Sequence, residues 1–159
     1  MFKKLLTTRS LCISAAIAAL YAALTVLLAP ISYGPIQLRL SEAMTLLPIL
    51  LPQAIPGLFI GCLIANLYTG MLTDIIFGSL ATLIAATGTY FLRKKPLLAA
   101  ACPVVANGLI VGLTLSLSFH LPVALTMAEV AIGEIGAVAI GMVILSGMKR
   151  AKIDLTRLG

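Results

Sequence analysis

LCISAAIAALYAALTVLLAPI, residues 11–31, carries no charged side chain, and Ser14, Tyr21 and Thr25 are its only hydroxyl residues. A helix that crosses a bilayer needs about 20 consecutive, mostly apolar residues. This stretch reaches that length before Pro30, which cannot continue a helix. Lys3, Lys4 and Arg9 precede it. Basic residues followed by an apolar run also open a signal peptide, but those apolar regions span only roughly 7–15 residues. The stretch therefore predicts a retained first transmembrane helix over residues 11–29.

The rest of the chain repeats this character. Of 159 residues, 61% are hydrophobic and only 10% are charged. Mean hydropathy is +1.15. Soluble domains are nearer 45–50% apolar and about 25% charged, so lipid is the natural solvent for this composition. Further apolar segments follow at 41–51, ended by Pro52, and at 55–68, 73–92, 97–118 and 123–148. The break between Pro52 and Pro56 leaves two arrangements open, separate helices or a re-entrant pair. Six segments occupy nearly the whole chain and predict a single membrane domain over residues 1–159.

The net charge of +6 lies in three clusters plus Arg39. Lys3, Lys4 and Arg9 form the first. Arg93, Lys94 and Lys95 form the second, and Lys149, Arg150, Lys152 and Arg157 the third. No basic and aromatic face for stacking bases is visible, so nucleic acid is not the implied partner. With the N-terminus cytoplasmic, six spans bring all three clusters to the cytoplasmic side, as the bias of Lys and Arg toward inner loops requires. Five or seven spans would strand at least one cluster outside. The predicted fold is an all-α membrane protein, a compact bundle of six transmembrane helices with both termini cytoplasmic.

On this topology the acids gather in the outer half, and only Asp154 is cytoplasmic. Glu42 opens the second helix and Asp74 the fourth. At 1.5 Å per residue, Glu129 and Glu134 lie about 10 and about 18 Å below the outer surface. Asn66 is near the outer end of the third helix, Asn107 midway along the fifth, and Arg39 in the outer link. Ionisable groups at membrane depth are expensive unless paired or solvated, and several at one level predict a pocket that opens outward. Glu134 and Glu129 are candidate ligand contacts or, alternatively, carboxylates paired to another helix. They stand roughly 140° apart around the helix, so both reach one pocket only if that helix is central or distorted near Gly133. Arg39 and Glu42, three apart, form either an ion pair or a polar rim. Asp74 either caps the fourth helix or binds ligand. Asn66 and Asn107 are candidate ligand contacts or interhelical glue. His120, the sole histidine, sits in an outer loop with no metal-ligating partner in the sequence.

Ala15, Ala19 and Ala23 recur every fourth residue, with Ala18 and Ala22 beside them. Gly57 with Gly61, and Gly108 with Gly112, share that spacing. Small residues at this interval let helices approach closely, and the length of the alanine stripe points to a partner protein. Cys12, Cys62 and Cys102 have no metal-ligand spacing and read as small packing residues. No G-x-x-x-x-G-K-[ST] loop is present, so the chain has no nucleotide-hydrolysing site of its own. No H-E-x-x-H or G-x-S-x-G motif supports an enzyme, and no cofactor or metal is expected.

Residues 33–43, YGPIQLRLSEA, resemble the link and second-helix start of the QueT family. Residues 55–66, IPGLFIGCLIAN, 74–83, DIIFGSLATL, and 107–112, NGLIVG, together with Gly133-Glu134, resemble its later motifs. Arg39, Glu42, Asn66, Asp74, Asn107 and Glu134 fall on those motifs, whereas Glu129 does not and rests on its depth alone. That family resembles the substrate-binding subunits of energy-coupling factor (ECF) transporters. The resemblance implies a six-helix bundle in the cell membrane and queuosine precursors as ligands, meaning 7-deazaguanine bases such as queuine or the aminomethyl prequeuosine base. It implies as partners a coupling membrane subunit and two cytoplasmic ATPases, with the stripe of Ala15, Ala19 and Ala23 facing the coupling subunit. Tyr33, Tyr68 or Phe77 could stack on the base. Three other readings stand beside this one: an ECF subunit for another vitamin-like heterocycle, a self-sufficient secondary transporter, and a membrane scaffold without transport.

Overall fold

A computed structural model describes residues 7–32 and 38–151. Tyr33 and the rest of the outer link to Gln37, Lys3 and Lys4, and Lys152, Asp154 and Arg157 lie outside the described residues. All regular structure among the described residues is helical.

Helix α1 spans Thr8–Leu27, three residues earlier than the apolar run suggests. Thr7 caps it, its hydroxyl oxygen accepting from the Ser10 amide at 3.3 Å, which satisfies one of the open amides of the first turn. A single turn, α2, Ala29–Ser32, follows. Pro30 stands in that turn, where no intrahelical donor is needed. Leu40–Ile49 is a 310 helix rather than the α-helix expected over 41–51. Runs of 310 helix beyond three or four residues are uncommon. Two residues account for this one. Pro48 lacks an amide donor, and the Thr45 hydroxyl donates to the Glu42 carbonyl at 2.5 Å, competing with the main-chain ladder.

Helix α3, Ala54–Thr69, ends on Gly70, whose φ of 70° is the left-handed cap that glycine adopts without strain. The segment expected over 73–92 begins with a wide π turn, Asp74–Gly78, and continues as α4, Ser79–Phe91. Helix α5 is Pro96–Phe119 and α6 is Val123–Arg150.

Glycines reveal how the helices run. A Cβ on Gly57 would meet Ser14 and Ile17, and one on Gly61 would meet Ala18 and Tyr21, so α1 and α3 pack in parallel. Gly108 faces Ala131 and Gly112 faces Met127, so α5 and α6 are antiparallel. Gly136 touches Leu38 while Gly141 meets Ala43 and Leu46, so the 310 helix runs parallel to α6. Both glycine pairs flagged by their spacing therefore serve contacts inside the bundle. Alanine, Leu46, Leu58 and Val138 fill the centre. The outer surface is apolar in turn: Leu27, Leu97 and Val143 are 78%, 80% and 72% exposed. Four helical stretches are long and apolar enough to cross a membrane, namely Thr8–Leu27, Asp74–Phe91, Pro96–Phe119 and Val123–Arg150. Leu40–Ile49 and Ala54–Thr69 are apolar but shorter.

Candidate functional site

Against an alanine-rich interior, one stratum of the bundle is polar. Arg39, Glu42, Asn66, Asp74, Asn107 and Glu134 are all buried in it, none more than 6% exposed. They come from the 310 helix and its N-cap residue Arg39, α3, the π turn, α5 and α6. Both departures from α-helical geometry thus fall at this level, and such departures often mark functional positions.

Arg39 pairs with Asp74, 35 residues away, at 3.2 Å. The i, i+3 pairing of Arg39 with Glu42 expected from spacing is replaced by this longer-range bond. Asp74 likewise does not cap α4: its carboxylate accepts from the guanidinium, and its carbonyl accepts from the Asn66 amide at 2.9 Å. Asn66 approaches so closely because Gly78 lies opposite; a Cβ there would stand 3.0 Å from the amide nitrogen. The same amide nitrogen lies within 3.4 Å of Ser79 Oγ and of Cys62 Sγ. Cys62 is buried as its apolar neighbours suggest, but its sulfur also accepts from Thr82 at 3.3 Å. Cys12 is exposed and Cys102 half-buried, and all three thiols are free.

Glu42 is the most elaborately held acid. The Tyr21 hydroxyl donates to its Oε1, and Thr82 Oγ1 approaches the same oxygen at 3.3 Å. Its other oxygen, Oε2, is buried with no hydrogen-bond partner. Glu134 Oε1 and Asn107 Oδ1 share that condition. These three side chains meet: Arg39, Glu42, Asn107 and Glu134, with Val111 and Val130, line one cavity of about 10 Å³. That volume holds about one water, whereas small-molecule pockets run to roughly 300 Å³ or more. At these residues the structure has a one-water cavity rather than the outward-opening pocket expected from sequence. Buried polar atoms without partners are uncommon in folded proteins, and three around one cavity make it the leading candidate for a ligand site.

The remaining candidates stand apart. Glu129 is half-buried on the flank of α6 and does not line the cavity. Tyr68 and Phe77 are 65% and 48% exposed and lie away from it. Ala15, Ala19 and Ala23 are exposed, while Ala18 and Ala22 turn inward. His120 is exposed and closes α5 in a left-handed conformation, φ 55°. Two residues that sequence reasoning passed over, Tyr21 and Thr82, hold Glu42. A tyrosine hydroxyl within an otherwise apolar helix was the available signal, since a buried phenol needs a partner.

An all-helical bundle, apolar outside and polar at one buried level, defines a multi-pass membrane protein with a candidate small-ligand site. The QueT transporter family matches residues 11–150, and the chain belongs to that family, whose members are transporters rather than enzymes. A relative, the queuosine precursor transporter QueT of Lactococcus lactis subsp. cremoris (strain MG1363), is 30% identical over 158 residues, which cover 90% of this chain and 93% of that protein. No solved structure matches.

Proposed function

We propose that this chain is the substrate-capture subunit of an ECF-type importer for queuosine precursors. The carrying observation is the convergence of Glu42 and Glu134, each with a buried unpartnered oxygen, on one cavity beside Asn107 and Arg39. Arg39 pairs with Asp74, so among the described residues one buried cation serves three buried acids, and neither Glu42 nor Glu134 has a cation of its own at salt-bridge distance. A 7-deazaguanine supplies what they lack. Its N1–H and exocyclic amine donate to one carboxylate, and the ammonium of an aminomethyl arm meets the other. Its carbonyl oxygen accepts from the Asn107 amide or from Arg39.

The packing directions support six passes across the cell membrane. α1, α3 and α5 run one way, and the 310 helix, α4 and α6 the other. A 310 helix rises about 2.0 Å per residue against 1.5 Å for an α-helix, which lets the ten-residue Leu40–Ile49 segment reach further across the membrane. Arg9, Arg93, Lys94, Lys95, Lys149 and Arg150 are exposed at one end of the bundle, consistent with a cytoplasmic face. The whole chain then acts as one binding domain, and a coupling membrane subunit with two cytoplasmic ATPases supplies the energy. The exposed stripe of Ala15, Ala19 and Ala23 suits close approach of a coupling-subunit helix.

Binding of queuine, prequeuosine bases and guanine to the detergent-purified chain, by calorimetry, tests the ligand assignment. An aminomethyl 7-deazaguanine should bind most tightly, and its neutral nitrile analogue about tenfold or more weaker, for want of one charge-assisted hydrogen bond. A folded sample that binds none of these bases would sink the assignment. The interface is tested separately with Ala19→Trp. Binding in detergent should be unchanged, while uptake by cells that hold the partner subunits should fall at least tenfold. Full uptake by that variant would remove the stripe from the interface.

A further inference from the structure

Both hydroxyl contacts to Glu42 fall on one of its oxygens, Oε1, and this bears on which ligand edge it meets. Tyr21 is fully buried on α1, and its ring packs among Ile17, Leu58 and Cys62. Its hydroxyl donates to Glu42 Oε1 and is not part of the cavity wall. Thr82 Oγ1 also reaches Oε1, at 3.3 Å, but its single proton is shared among three acceptors, Glu42 Oε1, Cys62 Sγ at 3.3 Å and Gly78 O at 3.2 Å. Tyr21 therefore dominates the restraint. With Oε1 held, Oε2 is left buried and unpartnered at the cavity. Glu134 has no comparable hydroxyl restraint among the described residues.

We propose that Tyr21 is a positioning residue that sets ligand specificity, fixing Glu42 so that Oε2 accepts from the exocyclic amine of a 2-amino-pyrimidinone ring, while Glu134 is left to the cationic arm. This rests on the reading of the site as a 7-deazaguanine pocket. A planar ring edge needs an acceptor at a defined angle, and a carboxylate held at one oxygen provides it. An ammonium on a flexible arm accepts many approach directions and suits the less restrained acid. A site built to receive a donor discriminates strongly against the analogue without it, because its own polar group is then stranded.

The discriminating measurement is the ratio of dissociation constants for 7-deazahypoxanthine, which lacks the 2-amino group, and 7-deazaguanine. Calorimetry on the whole purified chain would compare wild type with Tyr21→Phe, Thr82→Val and Thr89→Val. The Thr89 hydroxyl bonds the Ala99 carbonyl at 3.2 Å, so its loss perturbs the interior at a distance from Glu42. The ratio should fall about tenfold in Tyr21→Phe, as expected for one hydrogen bond to a charged group. It should fall less in Thr82→Val and stay unchanged in Thr89→Val. A wild-type ratio retained by Tyr21→Phe overturns the assignment while leaving the pocket reading intact. An equal fall in Thr89→Val overturns it as general loosening. A wild-type chain that binds neither base overturns the pocket reading and this inference together. If Tyr21→Phe is not recovered folded, Thr82→Val decides, and an unchanged ratio there counts against the proposal.

Discussion

Glu134→Ala should abolish tight binding of an aminomethyl 7-deazaguanine, with a loss of about 100-fold or more, and at the same time raise the thermal stability of the empty chain. The two signs follow from one fact. In the empty protein the Glu134 carboxyl is 4% exposed, and one of its oxygens has no partner. Removing an uncompensated polar group from a membrane interior relieves its desolvation. In the proposed complex the same group would face a cation, and truncating one partner of a buried charge pair costs about 2–5 kcal/mol, with each 1.4 kcal/mol about tenfold in affinity. Glu134→Gln separates charge from shape. It should weaken the aminomethyl ligand and leave its nitrile analogue nearly unaffected. Calorimetry with melting curves on the same samples reads all three quantities. A variant that melts earlier and binds normally would mean that Glu134 is a packing residue, and the site would have to be sought elsewhere.

This opposition between stability and binding also explains why the burial of the candidate residues was legible in the sequence while their wiring was not. A carboxylate such as Glu134 in an apolar run stands out whatever its partner, because the membrane penalises it. Arg39, Glu42, Asn66, Asp74 and Asn107 stand out for the same reason, and all are buried at one level. Pairing is a different matter. Arg39 could be matched to Glu42 by helical spacing, but its carboxylate partner is Asp74, because a 310 helix and a π turn replace the regular turns that the spacing assumed. The π turn is held by a tertiary hydrogen bond, Asn66 on the Asp74 carbonyl, which no local pattern announces, and the 310 turn by a local one, Thr45 on the Glu42 carbonyl, which a threonine in an apolar run does not by itself reveal. Tyr21 was hidden for a similar reason: within an alanine-rich stripe an aromatic ring reads as core, and its hydroxyl gains meaning only from Glu42, 21 residues on. The spacing of Gly57 with Gly61 and of Gly108 with Gly112, by contrast, needed no tertiary information, since close helix contact requires small residues wherever it occurs.

Gly141→Ala and Gly147→Ala should have opposite effects although both replace a glycine in the same helix. At Gly147, in the last turn of α6, an added Cβ meets nothing within 4 Å, so the variant should gain at most the roughly 0.5–1 kcal/mol by which alanine exceeds glycine in a helix interior. At Gly141 the Cβ would stand 2.5 Å from the Ala43 carbonyl oxygen and 3.2 Å from its carbon. Those atoms are backbone of the 310 helix, so no side-chain rotation relieves the clash and the segment itself must shift. Overpacking of this kind costs typically 1–3 kcal/mol. The shift also reaches the site. Ala43 adjoins Glu42, and α6, which carries Gly141, also carries Glu134 two turns away. Pushing the 310 helix from α6 separates the two carboxylates that the proposed ligand would bridge. Catalysis shows how sharply polar geometry matters, since about 1 Å of misplacement can cost a hundredfold, and a smaller shift here should weaken binding about tenfold. Fluorescence-detected elution after graded heating, followed by calorimetry with an aminomethyl 7-deazaguanine, should place Gly147→Ala at or above wild type in both and Gly141→Ala below it in both. If Gly141→Ala lost stability with binding unchanged, the seat of the 310 helix on α6 would be structural only, and the spacing of Glu42 and Glu134 would have to be set by the Tyr21 and Arg39 contacts instead.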